Sequence, residues 1–186
     1  MLVPDLPVRT ARLDLRLFTA DDFDALHAYQ SRPDVTRYLY FGPNDEAASR
    51  EALARKRARV ALREPGDVLN LAMVRRETGE VVGDVLLTWT SAEHRQGEIG
   101  YVLHPDHAGR GYATEASREM LRLGFDRLGL HRIVGRLDAR NTASARVLER
   151  LGMRREAHLR ENEFVKGEWC DELVYALLAR DWRAAR

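Results

Sequence analysis

The sequence predicts a mixed α/β fold of the α+β kind, with a largely antiparallel central sheet, one parallel crossover and helices packed around it. Three observations predict it. Residues 68–74 with 81–89, and residues 156–164 with 169–178, are strand-like runs split by the turn formers Thr78-Gly79 and Lys166-Gly167, so each pair reads as an antiparallel hairpin. Between them, the apolar run 98–103 leads through a glycine-containing loop into a helical period and then a further apolar run at 133–137, the pattern of a βαβ unit. At 186 residues, the chain is close to the common size of one domain, about 150 residues, and is read as a single domain over 1–186.

Each element has its own signal. Residues 12–17 alternate polar and apolar, which suits a half-buried strand. Thr19 followed by Asp21 and Asp22 is a helix start, with Phe23, Leu26 and Tyr29 as its apolar stripe, and the helix should fail at Arg32-Pro33. A second helix is expected over 44–63, with Asp45 and Glu46 at its front and basic residues at its back, matching the dipole. Its thin stripe (Ala47, Leu53, Val60) predicts a partly exposed helix covering a groove. From Tyr112 the apolar residues Ala113, Ala116, Met120, Leu123 and Leu128 recur at helical steps until Gly129. Residues 141–151 form a short helix closed by Gly152.

Composition excludes several classes. Hydrophobic residues are 45% and charged residues 32% of the chain, unlike a disordered protein. Thirty Lys and Arg against 29 Asp and Glu give +1, with no bulk charge to hold nucleic acid or an anionic membrane. No window approaches the roughly 20 apolar residues of a membrane span, and residues 1–10 do not read as a secretory leader. A single cysteine, Cys170, forms no internal disulfide and reads as a small packing residue; a cytoplasmic location is expected. The six histidines make no metal set, because His104 and His107 lack a third ligand at suitable spacing.

The most informative segment is Ala108-Gly109-Arg110-Gly111-Tyr112-Ala113, between a strand and a helix. Two glycines let the backbone approach a ligand, and the helix start beyond them, through Thr114, offers unpaired N–H groups to a diphosphate. Arg110 can add charge at the rim. An ordinary glycine turn reads the same residues without a ligand. No Walker A sequence is present, and a dinucleotide fingerprint using Gly109 and Gly111 would need Gly or Ala where Thr114 stands. Asp138 at the end of the next strand keeps a nicotinamide cofactor as a rival.

From about Arg12 to Trp182 the chain resembles the GCN5-related N-acetyltransferases (GNAT), in particular the RimJ/RimL-like branch that acetylates ribosomal-protein N-termini. The resemblance is carried by the segments 98–105 (EIGYVLHP) and 109–116 (GRGYATEA), by Asn141-Thr142-Ala143-Ser144, by 148–153 (LERLGM), and by Lys166-Gly167-Glu168-Trp169 before a terminal strand. The family's phosphate-loop pattern is Gln or Arg, two residues, Gly, one residue, then Gly or Ala. Gly111 and Ala113 fit it, and Ala108 departs from it.

The resemblance implies a sheet with a splayed strand pair and helices on both faces. It implies acetyl-CoA as donor, a primary amine (a protein N-terminus or a small amine) as acceptor, and no metal; homodimers are common in the group. The cofactor arm would pair with backbone around Tyr101, Val102 and Leu103. Its diphosphate would rest on 108–114. Asn141 would orient the arm and Arg146 would meet a phosphate, whereas Arg150 is read as solvated. Glu98 would be the general base and Ser144 the acid for the departing thiolate. Tyr38, Tyr40 and Phe41 either shape the amine pocket or belong to the core. A non-catalytic coenzyme A-binding module is the alternative function.

Overall fold

The computed structural model describes residues 1–185. Eight strands form one sheet: β1 (Val8–Arg9), β2 (Leu13–Arg16), β3 (Val68–Arg75), β4 (Val81–Ser91), β5 (Gln96–Leu103), β6 (Arg132–Asp138), β7 (Arg154–Val165) and β8 (Glu168–Leu178), in the order β1-β2-β3-β4-β5-β6-β8-β7. Every neighbouring pair is antiparallel except β5 with β6. That exception is the expected crossover, made by the helix α4 (Tyr112–Arg122). The mixed α/β class read from the sequence is present, and so is the splayed strand pair that the resemblance implies.

Helices cover both faces. On one lie α1 (Phe23–Gln30), α2 (Pro33–Thr36) and α3 (Glu46–Ala58), over a cluster of Phe18, Leu26, Tyr29, Leu53, Ala72 and Val74. On the other lies α4, whose Ala116, Met120 and Leu121 join Leu71, Met73, Val85 and Leu87. Strand β3 is buried on both sides because it feeds both clusters, which is why its sequence reads almost continuously apolar. The helices α5 (Thr142–Arg150) and α6 (Ala179–Ala184) complete the chain, with Leu148 and Trp182 buried.

Four local departures have physical causes. The helix expected over 44–63 occupies Glu46–Ala58, capped by Asp45, whose carboxylate accepts from the Ala48 N–H at 2.8 Å. It stops early because Ala61 and Leu62 are buried in extended backbone, where Leu62 exchanges both hydrogen bonds with Leu2 at 2.7 and 2.9 Å. Ahead of α1, residues Ala20–Asp22 form a tight 3-10 turn in which the Asp22 carboxylate takes the Thr19 N–H at 2.7 Å. The four-residue α2 begins on Pro33, a position where proline's missing N–H costs nothing. Beyond α4 the chain makes a π turn over Leu123–Arg127, with the Leu128 N–H on the Leu123 carbonyl at 2.9 Å. The step of five from Leu123 to Leu128 in the sequence is that i to i+5 bond.

Candidate active site

Strand β5 touches β6 only over Gln96–Glu98, while β6 continues along β8 as far as Asp138. Past Glu98 the two strands part. The flank of β5 turned toward β6 therefore carries no strand, and a groove of about 460 Å3 opens there. Tyr101, Val102 and Leu103 form its floor, the loop at Ala108, Gly109 and Gly111 one end, and the first turns of α4 and α5 its walls. The size suits a small-molecule site, about 300–1,000 Å3.

The loop end is built from backbone. Gly109 and Gly111 take left-handed φ of 74° and 82°, a region that favours glycine, and Gly111 starts α4. The first bond of that helix runs from the Glu115 N–H to the Gly111 carbonyl at 3.0 Å, so the N–H groups of Tyr112, Ala113 and Thr114 have no intrahelical acceptor. Thr114 adds a buried hydroxyl without a partner, in the groove wall. An end rich in free backbone donors fits a diphosphate. Ala108 contributes only a methyl group.

Behind the loop is a clasp that the sequence did not reveal. Arg12 Nε and Nη2 lie 2.7 and 2.6 Å from Glu115 Oε2, Nη1 donates to the Arg110 carbonyl at 2.8 Å, and the guanidinium sits 4.7 Å over the Tyr112 ring. The Thr10 hydroxyl and Arg12 N–H donate to Glu115 Oε1 at 2.6 and 2.8 Å. These contacts hold the Glu115 carboxyl below its usual range despite its partial burial. Arg110 contributes its carbonyl to this clasp; its exposed side chain does not line the groove.

At the opposite wall, Asn141 caps α5, with Oδ1 accepting from the Ser144 N–H at 3.0 Å. The Ser144 carbonyl accepts from the Tyr101 hydroxyl at 3.0 Å, a tie across the splay. Burial pushes that phenol up to about 12, so it remains a donor. Ser144 lines the groove, and among the described residues its hydroxyl has no protein partner. Arg146 and Arg150 both stand exposed at the rim.

Glu98 stands where β5 leaves β6, opposite Val134 on one side and Thr88 on the other. It does not line the groove. Burial raises its carboxyl above the ordinary glutamate range; Arg136 opposes this, while Glu172 and Glu163 add to it. Tyr40 lies in the same cluster, its phenol pushed up to about 12 by burial and by Glu163, Glu172 and Glu98. A core placement of the aromatics is overturned: Tyr40 is 65% and Phe41 38% exposed, and Tyr38 with Leu39 lines the groove. Cys170 is buried, 3.2 Å from an Arg140 nitrogen, and burial pushes its thiol up, the opposite of an activated thiolate. Among the described residues, no group of three or more His, Cys, Asp or Glu is arranged to hold a metal, and no helix is long and apolar enough to cross a membrane.

The chain matches the family described as the acetyltransferase (GNAT) domain over residues 12–154. It is 32% identical, over 93% of its length and 96% of the relative's, to the uncharacterized N-acetyltransferase p20 of Bacillus licheniformis. The crystal structure of a GNAT-family acetyltransferase from Bacillus anthracis superposes with a TM-score of 0.83 at 32% identity, covering 92% of this chain and 98% of that one. A spermidine N-acetyltransferase from Vibrio cholerae, solved with CoA and spermine, shares the fold at 22% identity and a TM-score of 0.77, covering 94% and 99%. The chain belongs to the GNAT family and is an acetyl-CoA-dependent acetyltransferase.

Proposed function

We propose that the protein, acting as one domain, moves the acetyl group of acetyl-CoA onto a primary amine, either a protein N-terminus as in the RimJ/RimL-like branch or a small amine. The single observation that carries this reading is the position of Glu98: a half-buried carboxylate with a raised proton affinity, at the point where the sheet opens. The amine attacks the thioester carbon; the C–N bond forms and the C–S bond breaks. Glu98 takes the proton from the amine, directly or through water, and the Ser144 hydroxyl gives one to the departing sulfur and regains one from solvent. The diphosphate rests on the donors at 111–114, Asn141 steers the arm, and Arg146 meets a phosphate at the rim.

Thiol release from acetyl-CoA, measured across peptides with different first residues, polyamines and aminoglycosides, tests the reading. Release that depends on one class of primary amine is expected; release with none of them sinks it. Ser144→Ala should slow turnover about 10²-fold, the low end of general acid effects. It should leave the cap intact, since the cap uses the Asn141 side chain and the Ser144 N–H. Full activity would make Ser144 structural only.

The clasp supplies a second expectation. Arg12→Met leaves Glu115 unneutralised beside the anion site, so KM for acetyl-CoA should rise about tenfold with kcat unchanged, the loss of one charge-assisted contact. Adding Glu115→Gln should recover most of it. Turnover of S-acetylpantetheine, which lacks the diphosphate, should be indifferent to Arg12; an equal loss with both donors would show a general structural defect instead.

A further inference from the structure

The turn Lys166-Gly167 joins β7 to β8 with Val165 paired to Glu168. Both turn residues take left-handed backbone, φ 51° at Lys166 and 89° at Gly167, as a type I′ turn requires. Asn or Asp is the easy choice at the first position, and a long side chain there is uncommon. Lys166 therefore needs an offsetting contact. Its Nζ donates to the carbonyl of Thr36 at 2.7 Å and that of Arg37 at 2.8 Å, at the C-terminal end of α2. Those carbonyls begin the strap 37–41. A second tie is the Arg140 guanidinium, 5.8 Å from the Tyr38 ring and ion-paired to Asp138 and Glu168.

The strap is a partition. Tyr38 and Leu39 line the groove on one side and, on the other, a small cavity bounded by Tyr40, Glu163, Glu172 and Lys166. That cavity has room for about 20 Å3, the space of roughly one water. We infer that Lys166 is a positioning residue: it latches the strap 37–41 against the β7–β8 turn and so sets which amines reach the cluster around Glu98. The inference rests on the reading that the acceptor enters beside Glu98.

Lys166→Asn is the informative variant, because it removes the ammonium and gives the turn its favoured residue. Hydrogen exchange of the strap amides, KM for the best amine of the panel, and the Kd of coenzyme A are compared in wild type, Lys166→Asn and Lys166→Arg. In Lys166→Asn the strap amides should exchange about tenfold faster, at an unchanged or higher Tm. KM for the amine should rise about tenfold, bulkier amines should gain relative to it, and the Kd of coenzyme A should stay within about twofold. Lys166→Arg, which keeps a cation on the carbonyls, should restore both exchange and KM. Unchanged exchange in Lys166→Asn would overturn the latch. Faster exchange with unchanged amine KM and selectivity would overturn its role in acceptor choice. If wild type acetylates no amine, the acceptor half falls together with the proposed function, and the exchange arm still decides whether Lys166 holds the strap.

Discussion

Asp84→Ala is expected to lower the free energy of unfolding by about 3–5 kcal/mol, the cost of stranding a buried charge. Asp84 lies on β4, 1% exposed, at the centre of a closed polar network. Its Oδ1 takes Lys56 Nζ from α3 at 2.6 Å and Asn70 Nδ2 from β3 at 3.1 Å; its Oδ2 takes the Tyr29 hydroxyl from α1 at 2.7 Å. Asn70 Oδ1 accepts a second bond from Lys56 at 3.0 Å, and Asn70 Nδ2 also reaches the Val85 carbonyl at 3.0 Å. Burial, then Asp84, pushes the Tyr29 phenol well above its ordinary range, so it stays a donor. One carboxylate thus seats two helices on two strands. Truncating it leaves the buried Lys56 ammonium with Asn70 Oδ1 as its one remaining acceptor and no counter-charge, and takes from the Tyr29 hydroxyl the acceptor it uses. Thermal denaturation should show a drop of roughly 10 °C, at about 2–4 °C per kcal/mol for a chain of this size. Lys56→Met combined with Asp84→Asn should cost less than the sum of the single changes, because the partners are removed together. A loss below about 1 kcal/mol for Asp84→Ala would mean that water replaces the carboxylate and the network does not hold the helices. Asp84 also pairs in register with Val102, so a loosened α1–α3 layer should weaken coenzyme A binding in the same variant.

What the sequence made legible follows from how local each signal is. The strands announced themselves through period-two alternation in β2 and through nearly unbroken apolar runs between turn formers in β3 and β4. The groove was legible because strand, glycine loop and helix are contiguous in the chain, and so were Asn141 and Ser144, where capping and cofactor readings fall on the same residues. Contacts between distant segments were not legible. Arg12 reaches Glu115 across 103 residues, and Lys166 reaches Thr36 across 130. Neither pairing has a periodicity to betray it. The choice between pocket and core for the aromatics of the strap stayed open for the same reason: Glu163 and Glu172, the neighbours of Tyr40, come from β7 and β8, far along the chain. The buried network did leave a trace, since Asn70 and Asp84 interrupt otherwise apolar strands. Such interruptions mark either a charge partner or a site, and here Lys56 is the partner. The overrun of α3 records a competition: the residues after Ala58 would tolerate a helix, but Leu62 pairs in extended backbone with Leu2, and both side chains are buried.

Glu98→Gln should separate activity from stability. Near neutral pH it should lower kcat about 10²-fold, within the usual range for a general base, and leave the Kd of coenzyme A intact because Glu98 does not line the groove. In wild type, kcat/KM should climb with pH through the Glu98 ionisation, at a midpoint above the ordinary glutamate value of about 4.3 because burial favours the protonated form. The variant lacks that limb and should rise with the free-amine fraction alone, so its deficit shrinks in alkali. Stability should move the other way. A carboxyl whose folded-state proton affinity is raised binds more protons folded than unfolded, so its ionisation weakens the fold as pH rises from the unfolded value through the folded one. Below that window the penalty is absent, and above it the penalty is complete. Glu98→Gln removes the ionisation; the variant should be more stable than wild type at pH 7, and this gain should disappear near pH 4. A structural ion pair with Arg136 would have the opposite sign, with the variant weaker at pH 7. Denaturant unfolding at both pH values, set beside the pH–rate profile, decides between them: a less stable variant with an unchanged profile would remove Glu98 from the chemistry and make it an ordinary strand-end partner of Arg136.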